Sequence, residues 1–397
     1  MSDQTHSRID DIENFRDDPD HDLQHIVETA SAPVVGSNSD AVERRRLGKL
    51  IAERRLLLRG LPIPYGPQQE LAAALDEALC SADELREAGL PQPGLKLLAD
   101  SFSGKSSGAL RYVREVFERE EHRPGTIPVA YVKLDTDGTV GSLATDILTA
   151  LDQPRPNALT PDKRWERARQ AIRDCGVSLI IFDEFQRASR RPTISPIIAG
   201  KILDIMDGDD SKGGDCACAF LGKTNAANVF KSCPDLRNRL DSPVHIPKLV
   251  WSRDEVDFMA FADAYDQALV DADILTHKAG LGTPVIAQLL LETASGLIGR
   301  FARIIETAVL GITREGVDTI TRADLRDAVS DWAIGNGHIN YNPFVKSKGD
   351  VTTATRENAK DDDGAGNGVD QTHDDADRKE DDSDDDGGQP FAQEKAA

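Results

Sequence analysis

The sequence predicts an α/β fold: a parallel sheet covered by helices on both faces, followed by a small α-helical domain. Three observations carry this. Short apolar runs recur at 94–99, 177–184 and 216–222, each nearly continuous and each separated from the next by helix-period segments; strands of that kind have no solvent face and belong to a sheet buried on both sides. The first run leads directly into "SFSGKSS" and then a helical pattern, a strand–loop–helix unit. From about residue 252 the strand pattern stops and amphipathic helices follow.

In chain order, "GLKLLA" (94–99) is the first strand. After Lys105, the residues Ala109, Leu110, Val113, Val116 and Phe117 recur at helical spacing. "IPVAYVKL" (127–134) is β-branched and alternating, a second strand. "TPDKRWERARQAIRDCG" is a helix with both ends marked: Thr160 as cap, Pro161 at the first helical position and Gly176 at the stop. "VSLIIFDE" (177–184) and "CACAFLG" (216–222) are buried strands, and "SPVHIP" (242–247) is a shorter one. In "SGLIGRFARIIETAVLGI" the residues Ile298, Phe301, Ile304, Ile305, Ala308 and Ile312 form the core face of a helix. The expected organisation is an acidic tail over 1–40, a sheet domain with a helical N-terminal extension over 41–251, a helical domain over 252–335 and a second acidic tail over 336–397.

With 397 residues, 39% of them apolar, the chain can bury a substantial core. Its net charge of −22 sits mostly at the ends. Residues 1–40 hold ten acids against two arginines, and residues 351–397 hold fifteen acids against five bases, so these two stretches carry −8 and −10. The acidic balance therefore says little about whether the middle of the chain touches nucleic acid. Stretches so poor in large apolar residues do not bury enough surface to offset the entropy of ordering, and both are read as disordered. The run "DDSDDDGG" near Asp381 is a solvating extension, an interaction arm or a mimic of nucleic-acid charge. Nothing approaches the ~20 continuous apolar residues that span a bilayer, and the N-terminus lacks an apolar signal core; the expectation is a soluble cytoplasmic protein with no membrane contact. Cys80, Cys175, Cys216, Cys218 and Cys233 are odd in number and contain no CxxC pair, which argues against a disulfide framework or structural zinc. Cys216 and Cys218 read as small buried strand residues.

"LLADSFSGKSSGALRYV" has the spacing of a phosphate-binding loop, with Ala99 where the first glycine usually stands and Gly104, Lys105 and Ser106 closing the pattern. Such a loop works because successive backbone N–H groups and a helix N-terminus converge on the phosphates while the lysine adds a point charge. A side chain at Gly104 would obstruct the phosphate; the first position mainly shapes the turn out of the strand. Ala99, Ser103, Gly104, Lys105, Ser106 and Ser107 are the candidate nucleotide contacts. The second half of the site is "LIIFDE", which puts Asp183 and Glu184 at the C-terminal end of a buried strand, on the ligand edge of a parallel sheet. Asp183 there holds Mg²⁺ through water while Ser106 supplies a hydroxyl ligand, and Glu184 orients the attacking water as base. A plain pair of strand-capping acids is the alternative, but two independent motifs in the right order on the right elements favour the site.

Further on, "FLGKTNAANVF" ends a strand in polar residues, of which Lys223, Thr224 or Asn225 would face the phosphates from the next strand over. "DLRNRLD" offers Arg237 and Arg239 at the edge of the sheet domain, where in ring or filament ATPases an arginine reaches the neighbour's nucleotide. Arg300 and Arg303 face either solvent or nucleotide. Two basic clusters, Arg44, Arg45, Arg46, Lys49, Arg54 and Arg55 in the first and Arg187, Arg190 and Arg191 in the second, either track DNA phosphates without reading bases or are ordinary solvated faces.

The order of these residues resembles the AAA+ superfamily and, within it, the TniB family of transposition ATPases, related to TnsC and more distantly to MuB. The resemblance runs from about Arg45 to Trp332 and rests on "LPIPYGPQQELAAALDEAL", "LLADSFSGKSS", "LIIFDEFQRAS", "FLGKTNAA", "LRNRLDSPVHIPKL" and "SGLIGRFARIIETAVLGITREGVDTITRADL". Two positions depart from the pattern: Ala99 replaces the common first glycine, and Gly299 stands where many relatives have the sensor arginine, leaving Arg300 as the candidate for that role. The resemblance implies a P-loop AAA+ sheet with a helical lid, ATP and Mg²⁺ as cofactors, and a slow, DNA-stimulated ATPase. It also implies a homo-oligomeric ring or filament on double-stranded target DNA that recruits a transposase or integrase. An initiator or helicase-loader ATPase, and a nucleotide-gated adaptor or signalling switch with weak hydrolysis, are the alternative readings.

Overall fold

The computed structural model describes residues 38–119, 125–134, 138–154, 159–208 and 213–345. The acidic segments 1–37 and 346–397, on which the expected tails fall, lie outside the described residues.

Two helices precede the sheet, α1 (Asn38–Gly60) and α2 (Gly66–Glu87). The sheet region then runs β1 (Gly94–Leu98), α3 (Lys105–Glu118), β2 (Val129–Lys133), α4 (Val140–Ala150), α5 (Pro161–Asp174), β3 (Leu179–Asp183), α6 (Ser195–Asp207), β4 (Ala217–Gly222), and the short helices α7 (Ala227–Ser232) and α8 (Pro234–Asn238). The four strands are parallel in the order β1-β4-β3-β2. Every residue of β3 and β4 is buried, as continuous apolar runs require of central parallel strands. Alternate residues feed two cores. Leu179, Ile181, Ala219 and Leu221 pack with Leu71 and Leu75 of α2 and with Ala109, Tyr112 and Val116 of α3. Ile180, Phe182, Cys218 and Phe220 pack with Ile147 of α4, Trp165 and Ile172 of α5, and Ile202 of α6. Cys216 and Cys218 fall in this second core, where burial pushes the Cys216 thiol up. The marked helix behaves as its ends dictate: Thr160 caps α5 with Pro161 in the first turn, and Gly176 leaves it with φ +64°.

The expected strand at 242–247 is not one. The segment runs beside β1, where the Asp241 N–H donates to the Gly94 carbonyl at 2.8 Å and the Val244 N–H to the Lys96 carbonyl at 3.1 Å. Pro243 and Pro247 carry no N–H, so no regular ladder extends from these two bonds.

Helices α9 (Trp251–Asp271), α10 (Pro284–Ala294), α11 (Ile298–Glu315) and α12 (Arg322–Ala328) follow. The face expected of α11 is its core face: Ile298, Phe301, Ile304, Ile305, Ala308 and Ile312 are all buried. The Phe301 ring meets those of Phe258, Phe261 and Tyr265 at 5.3–5.5 Å. Asp266, fully buried, accepts hydrogen bonds from the N–H groups of Ala279, Gly280 and Leu281 at 2.7–2.9 Å and so fixes the turn between α9 and α10. Packed structure continues past residue 335, where the helical domain was expected to stop. Phe344 is buried with the Arg322 guanidinium over its ring, and the Tyr341 hydroxyl donates to Glu292. No single helix among the described residues is long and apolar enough to cross a membrane.

Glu306 of α11 anchors α1. Its carboxylate, 9% exposed, meets Arg55 and Arg59 at 3.1 Å and Arg303 at 2.7 Å, and Arg54 donates to the Asp273 carbonyl. Arg54 and Arg55 are thereby occupied in holding α1 to the helical region, whereas Arg44, Arg45, Arg46 and Lys49 are exposed along its N-terminal half.

Candidate nucleotide site

The loop Ala99–Gly104 leaves the C-terminal end of β1 and enters α3 at Lys105. Ala99 keeps its N–H on the Gly222 carbonyl at 3.0 Å, is buried, and has no left-handed backbone, so this position makes no demand for glycine. Gly104 is different. Its φ is +91°, and a Cβ there would sit 2.7 Å from Ile298 Cδ1 and 2.9 Å from Gln68 Nε2. Helix α11 and the start of α2 both close on this glycine, and Gln68 donates to its carbonyl at 2.8 Å. Gly299 is equally constrained: its N–H donates to the Phe102 carbonyl at 2.8 Å, and a Cβ would lie 2.7 Å from that oxygen. An arginine at that position is sterically excluded by the loop itself.

Three groups in the loop invite an anion. Ser103 Oγ is buried without a hydrogen-bond partner. Lys105 is buried with a single acceptor, the Asp100 carbonyl at 3.2 Å. Burial pulls its ammonium below the usual lysine range, against the opposing pull of Asp183 and Glu184. The start of a 14-residue helix adds its dipole.

Across from the loop, Asp183 ends β3, 2% exposed, and its Oδ1 accepts from the Glu184 N–H at 2.8 Å. Oδ2 accepts from the Tyr131 hydroxyl at 2.5 Å. Burial, with Asp183 beside it, raises the tyrosine well above its usual range and keeps it protonated, against an opposing pull from the Ser106 hydroxyl. Glu184 itself has a left-handed backbone, φ 58°, a conformation costing a non-glycine residue about 1–2 kcal/mol. Its carboxylate accepts from Gln186 Nε2 at 2.6 Å, and Gln186 Oε1 accepts from the Lys223 N–H at 3.0 Å, so the Gln186 side chain ties the expected base to the end of β4. Phe102, φ 67°, is a second strained residue at the site. Its ring meets Trp332 at 6.0 Å and His338 at 5.6 Å.

Ser106 and Asp183 are hard oxygen donors, a set whose chemistry fits Mg²⁺ completed by phosphate oxygens and water. Among the described residues no cluster of three His, Cys, Asp or Glu side chains offers an alternative metal site. A cavity of about 390 Å³ opens beside the loop, lined by apolar residues such as Leu61, Ile63 and Ile298 together with Arg59, Arg111, Arg114, Arg303 and Glu306.

The remaining candidates spread around this centre. Thr224 and Asn225 are exposed on the turn after β4. Arg300, at the start of α11, donates to Ser295 Oγ at 3.1 Å and lies near enough to Asp100 to help lower its carboxyl, an effect led by Lys248 at 2.7 Å. Arg239 is held by Asp207 at 2.7 Å, while Arg237 is exposed. Arg187 donates to the Leu134 carbonyl at 2.9 Å and approaches Glu184 at 3.7 Å, which turns it toward the site; Arg190 and Arg191 are exposed. Tyr131, Gln186, Gln68 and Ile298 carried no functional signal in the sequence. Tyr131 read as one residue of an alternating strand, Gln186 lies two residues after the base it holds, and Gln68 and Ile298 reach the site only through contacts between distant parts of the chain.

Residues 63–250 match the family model described as Bacterial TniB protein. The matched residues make up just under half of the chain. The matched segment holds the site from Gln68 to Arg239, and Ile298, Gly299 and Arg300 come to it from beyond the matched residues. Among solved structures, the chain is similar to the Aeropyrum pernix ORC2 protein in its ADPNP–ADP complexes, 16% identical with a TM-score of 0.51, over 66% of each chain, just under two thirds. The ADP form of that protein matches at 16% identity and a TM-score of 0.51 over 70% of this chain and 72% of that one. The Aeropyrum pernix ORC1 protein in complex with DNA matches at 15% and 0.51 over 70% and 69%. Likeness at this level shows a shared fold, the AAA+ arrangement of sheet and helices. No curated protein matches the chain at the significance applied to these comparisons.

Proposed function

We propose that this chain is a TniB-type, Mg²⁺-dependent ATPase of the cytoplasm that assembles as a homo-oligomer on double-stranded DNA and recruits a transposase or integrase. The observation that carries the catalytic part is the convergence of Lys105, Ser106 and the unpartnered, buried Ser103 hydroxyl on one side with Asp183 and Glu184 on the other. In this reading the loop and the helix start bind the phosphates, Lys105 neutralises charge on the β- and γ-phosphates, and Ser106 and Asp183 hold the metal. Bound Mg²⁺ supplies charge neutralisation on the same oxygens. Glu184 takes the proton of the attacking water once its carboxylate turns from Gln186 toward the phosphate. Because Glu184 is held by Gln186 in the absence of a partner, hydrolysis is slow until DNA-bound assembly releases it. Arg237, exposed at the sheet edge, reaches the neighbouring subunit's nucleotide, and Arg239 stays with Asp207. DNA is held through phosphates by the exposed N-terminal half of α1, with Arg44, Arg45 and Arg46, and by Arg190 and Arg191. The free state of the cysteines suits the cytoplasm.

The test is to image the purified protein with duplex DNA and a non-hydrolysable ATP analogue, then add a purified integrase-type transposase. Rings or filaments on DNA that retain the transposase support the proposal. ATP binding with no DNA-bound assembly would instead favour a nucleotide-gated adaptor.

A further inference from the structure

Resting on the nucleotide-site reading above, we propose that Tyr131 is a positioning residue for the metal, a hydroxyl relay between Ser106 and Asp183. The tyrosine comes from β2, the strand beside β3, in register with Ile181, two residues before Asp183. That offset lets its long side chain reach the end of β3, where its hydroxyl donates to Asp183 Oδ2 at 2.5 Å; Ser106, in the first turn of α3, is the hydroxyl whose proton the phenol oxygen is free to accept.

The chemistry follows from counting protons and lone pairs. A serine that gives Mg²⁺ a lone pair must send its own proton elsewhere, and its best acceptor is an oxygen opposite the metal. The Tyr131 oxygen accepts that proton's hydrogen bond and passes its own to Asp183. Asp183 already accepts from the Glu184 N–H through Oδ1, so with Tyr131 on Oδ2 both carboxylate oxygens are oriented and one lone-pair side of each stays available for metal-bound water. Without the phenol, Ser106 has no fixed acceptor and Asp183 is free to rotate about its last bond. The relay moves no proton in the reaction; it sets which lone pairs face the cation. Groups that orient metal-holding residues in this way are worth roughly 10–100-fold in metal affinity.

The experiment titrates Mg²⁺ against the full chain at a fixed concentration of a fluorescent ATP analogue, comparing the parent with Tyr131→Phe. The expected result is a Mg²⁺ midpoint raised by about tenfold or more, with nucleotide affinity at saturating Mg²⁺ within about threefold of the parent. A Ser106→Ala chain should shift the midpoint too, and adding Tyr131→Phe to it should do little more, because both changes break one relay. A Tyr131→Phe chain that titrates like the parent overturns the relay. So does one that loses nucleotide at every Mg²⁺ concentration or fails to fold, since the tyrosine is then a core residue. A parent protein that binds no nucleotide at any Mg²⁺ concentration overturns the nucleotide reading itself, a distinct result.

Discussion

Replacing Gly104 with alanine should damage both the fold and the site, while replacing Ala99 with the glycine common at that position should improve neither. At Gly104 the backbone is left-handed, φ +91°, which costs an L-residue about 1–2 kcal/mol. The new methyl would also press on Ile298 Cδ1 at 2.7 Å and Gln68 Nε2 at 2.9 Å. Both are ends of movable side chains, so the overpacking falls at about 1–2 kcal/mol, in the lower part of its usual range. The total, about 2–4 kcal/mol, corresponds to a melting temperature lower by roughly 3–7 °C for a folded region of this size. At Ala99 the backbone is ordinary and the methyl is buried, so Ala99→Gly loses about 0.8 kcal/mol of burial and adds about 0.5–1 kcal/mol of chain entropy. Its melting temperature should fall by only a few degrees, and its ATP affinity should stay within about threefold of the parent. Calorimetry on the three proteins, with a nucleotide titration on each, checks both halves. A Gly104→Ala protein that melts with the parent, or an Ala99→Gly protein that binds ATP much more tightly, would refute the reasoning.

Three other outcomes follow from the same geometry. Arg237→Ala should leave nucleotide binding intact and cut DNA-stimulated hydrolysis by on the order of 10³-fold, whereas Arg239→Ala should mainly lower the melting temperature by freeing Asp207; phosphate-release assays on both tell them apart. Asp266→Ala strands the buried Leu281 N–H and the half-buried N–H groups of Ala279 and Gly280 and should cost about 2–3 kcal/mol in a denaturant titration, with Asp266→Asn costing less. Substituting Arg44, Arg45 and Arg46 together by alanine should weaken DNA binding uniformly across sequences and flatten its salt dependence, with no change in melting temperature because that half of α1 is exposed; unchanged salt dependence would remove α1 from the DNA surface.

The parts legible in the sequence were those written in local pattern. The runs of β3 and β4 announce strands buried on both faces, Thr160 and Gly176 bracket their helix, and the apolar face of α11 matches its spacing residue by residue. The phosphate loop and the acid pair were legible because each needs only neighbours in sequence. What distant parts of the chain decide was not. Gly104 is compelled by Ile298 and Gln68 as much as by any phosphate, and Gly299 by the Phe102 carbonyl. Tyr131 reaches Asp183 from the neighbouring strand. The basic character of "ERRRLGKLIAERR" hid a division of labour, since Arg55 meets Glu306 and Arg54 the Asp273 carbonyl, both far along the chain. The misread strand at 242–247 failed for a local reason, two prolines where a ladder needs donors.

The central claim is that one site, with Lys105 gripping the phosphates and Glu184 activating water, binds and hydrolyses ATP. Its most direct test is to measure ATP binding and phosphate release side by side for the parent, Lys105→Ala and Glu184→Gln in the presence of Mg²⁺ and duplex DNA. Lys105→Ala should lose binding and turnover together, while Glu184→Gln should bind ATP like the parent and release almost no phosphate, since the amide keeps the shape of the side chain and does not accept a proton as a base. Two variants that both bind and hydrolyse ATP as the parent does would contradict it.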